Sequence, residues 1–112
     1  QYTAQNGVCD RAKEGQHAAT ITGHKDVPQN NPTQLAAAVA KGPVSIAIEA
    51  DKPYFQHYKS GTLDNVTACG TKLDHGVLIV GMTPDAYIIK NSWGPSWRVQ
   101  PLYAPVCGAA TI

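Results

Sequence analysis

Two strand-like runs joined by a four-residue turn constrain the fold of this chain most. Residues 75–82 and 87–91 are rich in apolar and β-branched side chains, and residues 83–86 between them include Pro84 near the first corner of a turn. Such runs on either side of a short loop predict an antiparallel hairpin in which Met82 faces Tyr87.

Each outer end of this hairpin carries a polar side chain, because His75 begins the first run and Asn91 ends the second. Regular pairing places Asn91 opposite Leu78, which is roughly 10 Å along the strand from His75. The hairpin therefore brings the two side chains into one neighbourhood without contact. A bulge, or a turn of the chain after Asn91, is needed to close the gap.

A histidine held by an asparagine can act as a proton-transfer group. Imidazole exchanges protons near physiological pH, and an amide oxygen fixes one tautomer without adding a charge. Beside a cysteine this suits the thiolate–imidazolium pair that is the reactive state. Trp93 lies two residues after Asn91 and is placed to cover the bond between Asn91 and His75. The residues alone leave open the simpler alternative of a strand-end histidine and a turn asparagine.

One helix and one further strand complete the regular elements that the sequence predicts. Residues 33–41 are rich in alanine, with Asn31 as the N-cap, Pro32 in the first helical position and Gly42 as the stop. Residues 44–49 alternate with a period of two, which predicts a strand with one buried face. Residues 1–16 are polar and predict a loop or extended arm, and residues 18–22 predict a short β-prone piece.

Composition limits the class of protein. The 112 residues allow one domain at most, and 43% hydrophobic with 15% charged residues is typical of a globular chain. A net charge of +1 without any basic block predicts neither a nucleic acid nor a membrane surface as partner. The longest apolar runs are far shorter than the roughly 20 residues of a membrane span. The chain begins with Gln1, which favours a mature, processed or truncated product.

The three cysteines, Cys9, Cys69 and Cys107, have no metal-type spacing, and no metal or cofactor is predicted. Their odd number leaves one thiol that is reactive, buried or paired outside the chain. Residues 65–67, Asn-Val-Thr, match the glycosylation acceptor at Asn65. Both features favour an oxidising compartment.

Two segments of the chain resemble the signature segments of papain-family, cathepsin L-like cysteine peptidases. They are residues 69–77 (CGTKLDHGV) and 89–97 (IKNSWGPSW). The helix with residues 41–48, the segment from Tyr2 to Cys9 and the final Cys107-Gly108 are also similar to that family. The resemblance implies an α+β fold, in which residues 1–112 form a β-rich, antiparallel, barrel-like lobe with one short helix.

The resemblance implies a Cys-His-Asn endopeptidase in which His75 is the acid–base and Asn91 orients it. The family's segment with the nucleophilic cysteine, which belongs to a second, helical lobe, has no counterpart in this sequence. We therefore expect that lobe to be the partner, with Cys9 matching a cysteine that bonds to it. Cys69 and Cys107 match a structural disulfide.

The same resemblance implies substrate contacts. Ala50 and Leu73 would line an apolar pocket for the side chain that precedes the one at the cleaved bond, accepting Leu, Phe or Val. Asp74 would offer its backbone carbonyl, and Trp93 an apolar wall on the leaving side. Peptides and proteins are the expected substrates, cystatin-like proteins the expected inhibitors, and a lysosome, vacuole or the cell exterior the expected location.

One departure from the family concerns residues 98–106, a shorter stretch between Trp97 and Cys107 than the family uses, in which a strand is expected to be missing or rewritten. Two alternatives remain. One is a catalytically inactive fragment or pseudo-enzyme that binds peptides or partners. The other is a secreted, disulfide-bonded structural module, which leaves the grouping of His75, Asn91 and Trp93 unexplained.

Overall fold

A five-stranded antiparallel sheet forms the body of the molecule. The computed structural model describes residues 3, 5–63 and 70–97, together with the backbone of residues 102–104 and 110–111. The strands are β1 (Val44–Ile48), β2 (His75–Met82), β3 (Tyr87–Lys90), β4 (Leu102–Ala104) and β5 (Ala110–Thr111). Their order across the sheet is β4-β3-β2-β1-β5, so the predicted hairpin of β2 and β3 lies at its centre.

Three helices accompany the sheet: α1 (Arg11–Glu14), α2 (Pro32–Val39) and α3 (Pro53–Gln56). The predicted helix is α2, and its capping is confirmed because the Asn31 side chain accepts a hydrogen bond from the Gln34 N–H at 3.0 Å. The single turns α1 and α3 have too few residues to show a helical period, which is why the sequence did not reveal them.

The core lies on one face of the sheet, where α2 and the segment after β1 cover it. Ile46 and Ile79 at its centre are 1% and 0% exposed. The apolar edge of α2 packs here, since Leu35 and Val39 are each 8% exposed. Phe55 of α3 belongs to the same cluster. The predicted α+β, antiparallel architecture is therefore the one observed.

One local prediction is corrected, and for the stretch after Trp97 the structure decides between a missing and a rewritten strand. Residues 18–22 are exposed and form no strand, because no neighbouring strand offers them hydrogen bonds in the described part of the chain. The stretch between Trp97 and Cys107 does contain a strand, since β4 pairs with β3 from Tyr87 to Ile89. None of the described helices is long and apolar enough to cross a membrane.

Candidate active site

A bulge in β2 sets the position of the polar side chains at the end of the central hairpin. The pairing of β2 with β3 shifts by one residue between Ile79 and Gly81. Leu78 therefore faces Lys90, whereas regular pairing would have placed it opposite Asn91. The shift brings Asn91 one residue closer to the start of β2, as the gap in the regular hairpin required.

At that point His75 and Asn91 are in direct contact. His75 Nε2 lies 2.7 Å from Asn91 Oδ1, and the Ser92 backbone N–H donates to the same oxygen, also at 2.7 Å. The Ser92 N–H can only donate, so the Asn91 atom at this position is the oxygen and not the amide nitrogen. Nε2 of His75 must then carry a proton. The network of described residues uses only that ring nitrogen, which leaves Nδ1 for a reacting group.

The other end of the Asn91 amide is incomplete. Its Nδ2 is buried and has no hydrogen-bond partner among the residues that the structure describes. A buried donor without an acceptor costs about 1–3 kcal/mol, so such atoms are rare in finished structures. We therefore regard the environment of Asn91 as part of a larger site.

An aromatic group covers the histidine. The ring centroid of Trp93 lies 4.9 Å from that of His75, with 34° between the ring planes. Trp93 in turn makes edge-to-face contacts with Phe55 at 5.4 Å and with Trp97 at 5.1 Å. The Trp97 indole N–H donates to the Gln56 carbonyl at 2.8 Å, which ties the cluster to α3. These rings stiffen the side of the imidazole that they touch.

Gly94 makes this arrangement sterically feasible. Its φ is +83°, in the left-handed region that side-chain-bearing residues rarely adopt. The turn reverses the chain, so that the Trp97 ring packs on Trp93. The backbone nitrogen of Trp97 lies 3.4 Å from the Gly94 carbonyl oxygen.

The residues predicted to contact substrate do not all lie at the surface. Leu73 is 41% exposed and adjoins the histidine strand. Ala50 is 3% exposed and belongs to the core cluster, and its place in a substrate pocket stays a prediction. Asp74 donates its N–H to the Ile48 carbonyl at 3.0 Å, and its carboxylate accepts from the Ala50 N–H at 2.7 Å. Asp74 thus links the ends of β1 and β2.

Ala47 and Gly76 are two small residues next to the candidate site. They face one another across β1 and β2, directly beside His75, and Ala47 is half-buried. The alternation of β1 places Ala47 on the face opposite Ile46 and Ile48.

A groove of about 500 Å³ runs over the outer face of the sheet next to this pair. Its lining consists mostly of small and apolar residues: Ser45, Gly76, Val77, Leu78, Lys90, Asn91 and Ser92. Lys90 is the one charged side chain in this lining, and no ion pair to it is found among the described residues. The side chains that line the groove therefore carry one positive charge and no negative charge.

No activated thiol accompanies His75 in the described residues. Cys9 is exposed and free, and its Sγ donates to the Glu14 carboxylate at 3.0 Å. That hydrogen bond raises the pKa of the Cys9 thiol, whereas a nucleophile needs a lowered one. The predicted Cys69–Cys107 disulfide and the acceptor Asn65 lie outside the described residues. Within the described chain, no three metal-ligating side chains come together.

Comparison with known sequences gives a consistent match. The family model described as papain family cysteine protease matches residues 1–105. Vignain of Ricinus communis is 48% identical over 101 residues, which are 86% of this chain and 28% of that protein. Oryzain beta chain of Oryza sativa subsp. japonica is 47% identical over 100 residues, which are 86% of this chain and 21% of that protein. The chain thus spans less than a third of these curated relatives.

Solved structures match in the same way. The bromelain protease from Ananas comosus, in complex with the E64 inhibitor, has a TM-score of 0.74 at 31% identity, over 98% of this chain and 58% of that one. The Carica candamarcensis cysteine protease CMS1MS2, in complex with E-64, has a TM-score of 0.68 at 34% identity, over 78% of this chain and 46% of that one. The chain corresponds to about half of each of these two.

Proposed function

Because the chain belongs to the papain family of cysteine proteases, we propose that it is the histidine-bearing lobe of a cysteine endopeptidase. In this proposal residues 1–112 form the C-terminal lobe, and the nucleophilic cysteine comes from a helical lobe outside these residues. The observation that carries it is the 2.7 Å contact of His75 Nε2 with Asn91 Oδ1, which leaves Nδ1 available.

The proposed reaction has two steps, both of which use Nδ1 of His75. The thiolate of the partner lobe attacks the peptide carbonyl carbon, the C–N bond breaks, and His75 gives its Nδ1 proton to the leaving amine. Water then attacks the thioester while Nδ1 accepts the proton of that water, and the thiolate leaves. Asn91 keeps Nε2 protonated and the ring oriented throughout.

Three features support a partner lobe on the outer face of the sheet. Asn91 Nδ2 is buried and lacks an acceptor in the described residues. Lys90 is the one charged side chain lining the groove beside it, and a carboxylate would complement that charge. The two matched solved structures contain about as much chain again as this one. A docked lobe would supply the missing acceptor and the nucleophile together.

We propose that the substrates are peptides with an apolar side chain close to the cleaved bond. The residue concerned is the one immediately before the residue whose carbonyl carbon is attacked. Leu73 is exposed just before β2, and Ala50, the second residue proposed to line the pocket, has a small apolar side chain just after β1. A roomy apolar surface of this kind suits Leu, Phe or Val. Trp93, 36% exposed, is the proposed apolar wall on the leaving side, and Asp74 the proposed backbone acceptor.

We also propose that the enzyme works in an oxidising compartment, such as a lysosome, a vacuole or the cell exterior. The three cysteines and the Asn65 acceptor in the sequence support this. Cystatin-like proteins that cover the cleft would be its natural inhibitors. Intact mass before and after reduction tests the link through Cys9, because a disulfide to the other lobe would release a second mass or change the thiol count.

Active-site titration tests the function itself. The isolated enzyme that contains this chain is treated with an epoxide that alkylates active-site thiols, and is assayed on dipeptide substrates with Leu, Phe or Val. We expect one thiol per molecule to react, cleavage to stop, and a His75→Ala variant to lack both cleavage and rapid alkylation. If the native enzyme neither reacts nor cleaves but still binds the dipeptides, the chain belongs to a peptide-binding pseudo-enzyme.

A further inference from the structure

A carboxylate that the proposed mechanism does not use lies almost buried beside the segment that leads into His75. Glu49 follows β1 directly, and its side chain is 5% exposed. Its Oε1 lies 2.7 Å from Lys52 Nζ, and its Oε2 accepts the backbone N–H of Lys72 at 2.8 Å. The pKa of Glu49 is lowered, first by the bond to Lys52 and then by that N–H.

The approach of this carboxylate requires a glycine on the other side. A Cβ at residue 70 would collide with the carboxylate oxygens and carboxyl carbon of Glu49, so Gly70 lets the side chain lie directly on the backbone. Glu49 is therefore held between Lys52, Gly70 and the Lys72 N–H. These contacts fix the path of the backbone at residues 70–72.

Residues 70–74 form no strand and enter β2 at its first residue, His75. Two carboxylates join this segment to the end of β1: Glu49 holds Lys72, and Asp74 holds the Ala50 N–H. The first residue of a strand moves easily unless the preceding segment is tied down. The pairing of Ile48 in β1 with His75 in β2 comes directly after this held segment.

We infer that Glu49 is a positioning residue for His75, acting through the Lys72 N–H and the backbone of residues 70–74. In the described structure its hydrogen bond and its ion pair go to Lys72 and Lys52 and not to His75. Its contribution is to hold the start of β2 so that Nε2 of His75 stays within reach of Asn91 Oδ1. The inference deepens the proposed function, since it concerns the same acid–base.

The test reads the His75 ring by nuclear magnetic resonance in the enzyme that contains this chain, labelled with ¹⁵N-histidine. In the native chain the Nε2–H proton, held by Asn91, gives a slowly exchanging signal. Glu49→Ala removes the acceptor, and we expect loss of that signal in a protein that is still folded by circular dichroism. Glu49→Gln keeps an oxygen for the Lys72 N–H and should retain the signal.

Asp51→Asn is the matched control, because the Asp51 carboxylate lies 3.4 Å from Lys52 Nζ but makes no hydrogen bond with residues 70–74 in the described structure. We expect it to retain the signal. Retention in folded Glu49→Ala, or equal loss in Asp51→Asn, would overturn the inference. If Glu49→Ala does not fold, Glu49→Asp decides: its side chain is too short to span both partners, so loss supports the inference and retention overturns it. If neither folds, Glu49 is merely structural and the inference fails.

The experiment separates this inference from the proposed function. The His75 signal needs neither a nucleophile nor a substrate. A protein without peptidase activity whose His75 signal still depends on Glu49 would contradict the proposed function alone.

Discussion

A single oxygen, Asn91 Oδ1, receives hydrogen bonds from two directions. The Ser92 N–H fixes which end of the amide faces His75, and the His75 ring then has only one nitrogen left for chemistry. Trp93 stacks on the ring and limits the access of water to this contact. The tautomer is thus decided by backbone geometry and by an uncharged side chain.

Asn91→Ala should lower kcat by about a hundredfold and change KM little, because it releases the ring without touching substrate. Steady-state kinetics on a dipeptide substrate measures this. Asp85→Asn, in the exposed turn between β2 and β3, is the control and should behave as native. A native kcat in Asn91→Ala would show that the ring is oriented by something else.

The lowered pKa of Glu49 predicts how stability responds to acid. Since this pKa is depressed in the folded state relative to the ordinary value of 4.5, the stabilisation is fully present above the unfolded pKa and is lost as pH falls through the folded one. Urea unfolding of the native chain and of Glu49→Gln should therefore differ most near neutral pH. The two curves should converge below the folded pKa, and a gap that stays constant down to pH 2 would contradict the assignment.

At the level of elements, local sequence was enough where an element carries its own period or cap. The hairpin strands and α2 were predicted to within one or two residues of their observed ends, because alternation and capping are read within a few positions. Residues 18–22 have β-branched side chains but gain no partner strand. A strand forms only by pairing, which local propensity does not supply.

Asn31→Ala should destabilise the molecule by about 1 kcal/mol, because the Gln34 N–H loses its acceptor at the start of α2. Urea unfolding gives the difference. Asn6→Ala on the exposed arm removes the same side chain without a cap and should leave the midpoint unchanged. Equal midpoints for native and Asn31→Ala would show that packing alone holds α2.

Viewed whole, the molecule has a packed inner face and an outer face that is only partly covered. Residues 5–26 are exposed throughout, and Val8 and Ile21 are 99% and 81% exposed. The radius of gyration of 15.6 Å exceeds the about 13 Å of a compact chain of this size. The molecule thus combines a packed core with a long exposed segment at residues 5–26.

If the partner lobe covers the groove, Lys90 should be protected in the isolated enzyme. Acylation with a lysine-reactive ester, followed by peptide mass mapping, should modify Lys90 at least tenfold more slowly in the enzyme than in the 112-residue chain alone, as ~1.4 kcal/mol of protection would produce. Lys41, exposed at the end of α2, is the internal control and should react equally in both. Equal labelling of Lys90 would place the partner elsewhere.

The amino-acid sequence by itself determined the strands of the central hairpin, the capped helix and the residue types at the candidate site, because these depend on neighbours a few positions apart. Only the tertiary structure decided that His75 touches Asn91, that Asp74 accepts a hydrogen bond from the Ala50 N–H, and that Glu49 lies on Gly70. Each of these depends on strand register or on contact between residues about 16 to 25 positions apart. A one-residue bulge changes the strand register without leaving a distinct pattern in the local sequence. The strand pairing and the close packing therefore follow only from the three-dimensional structure.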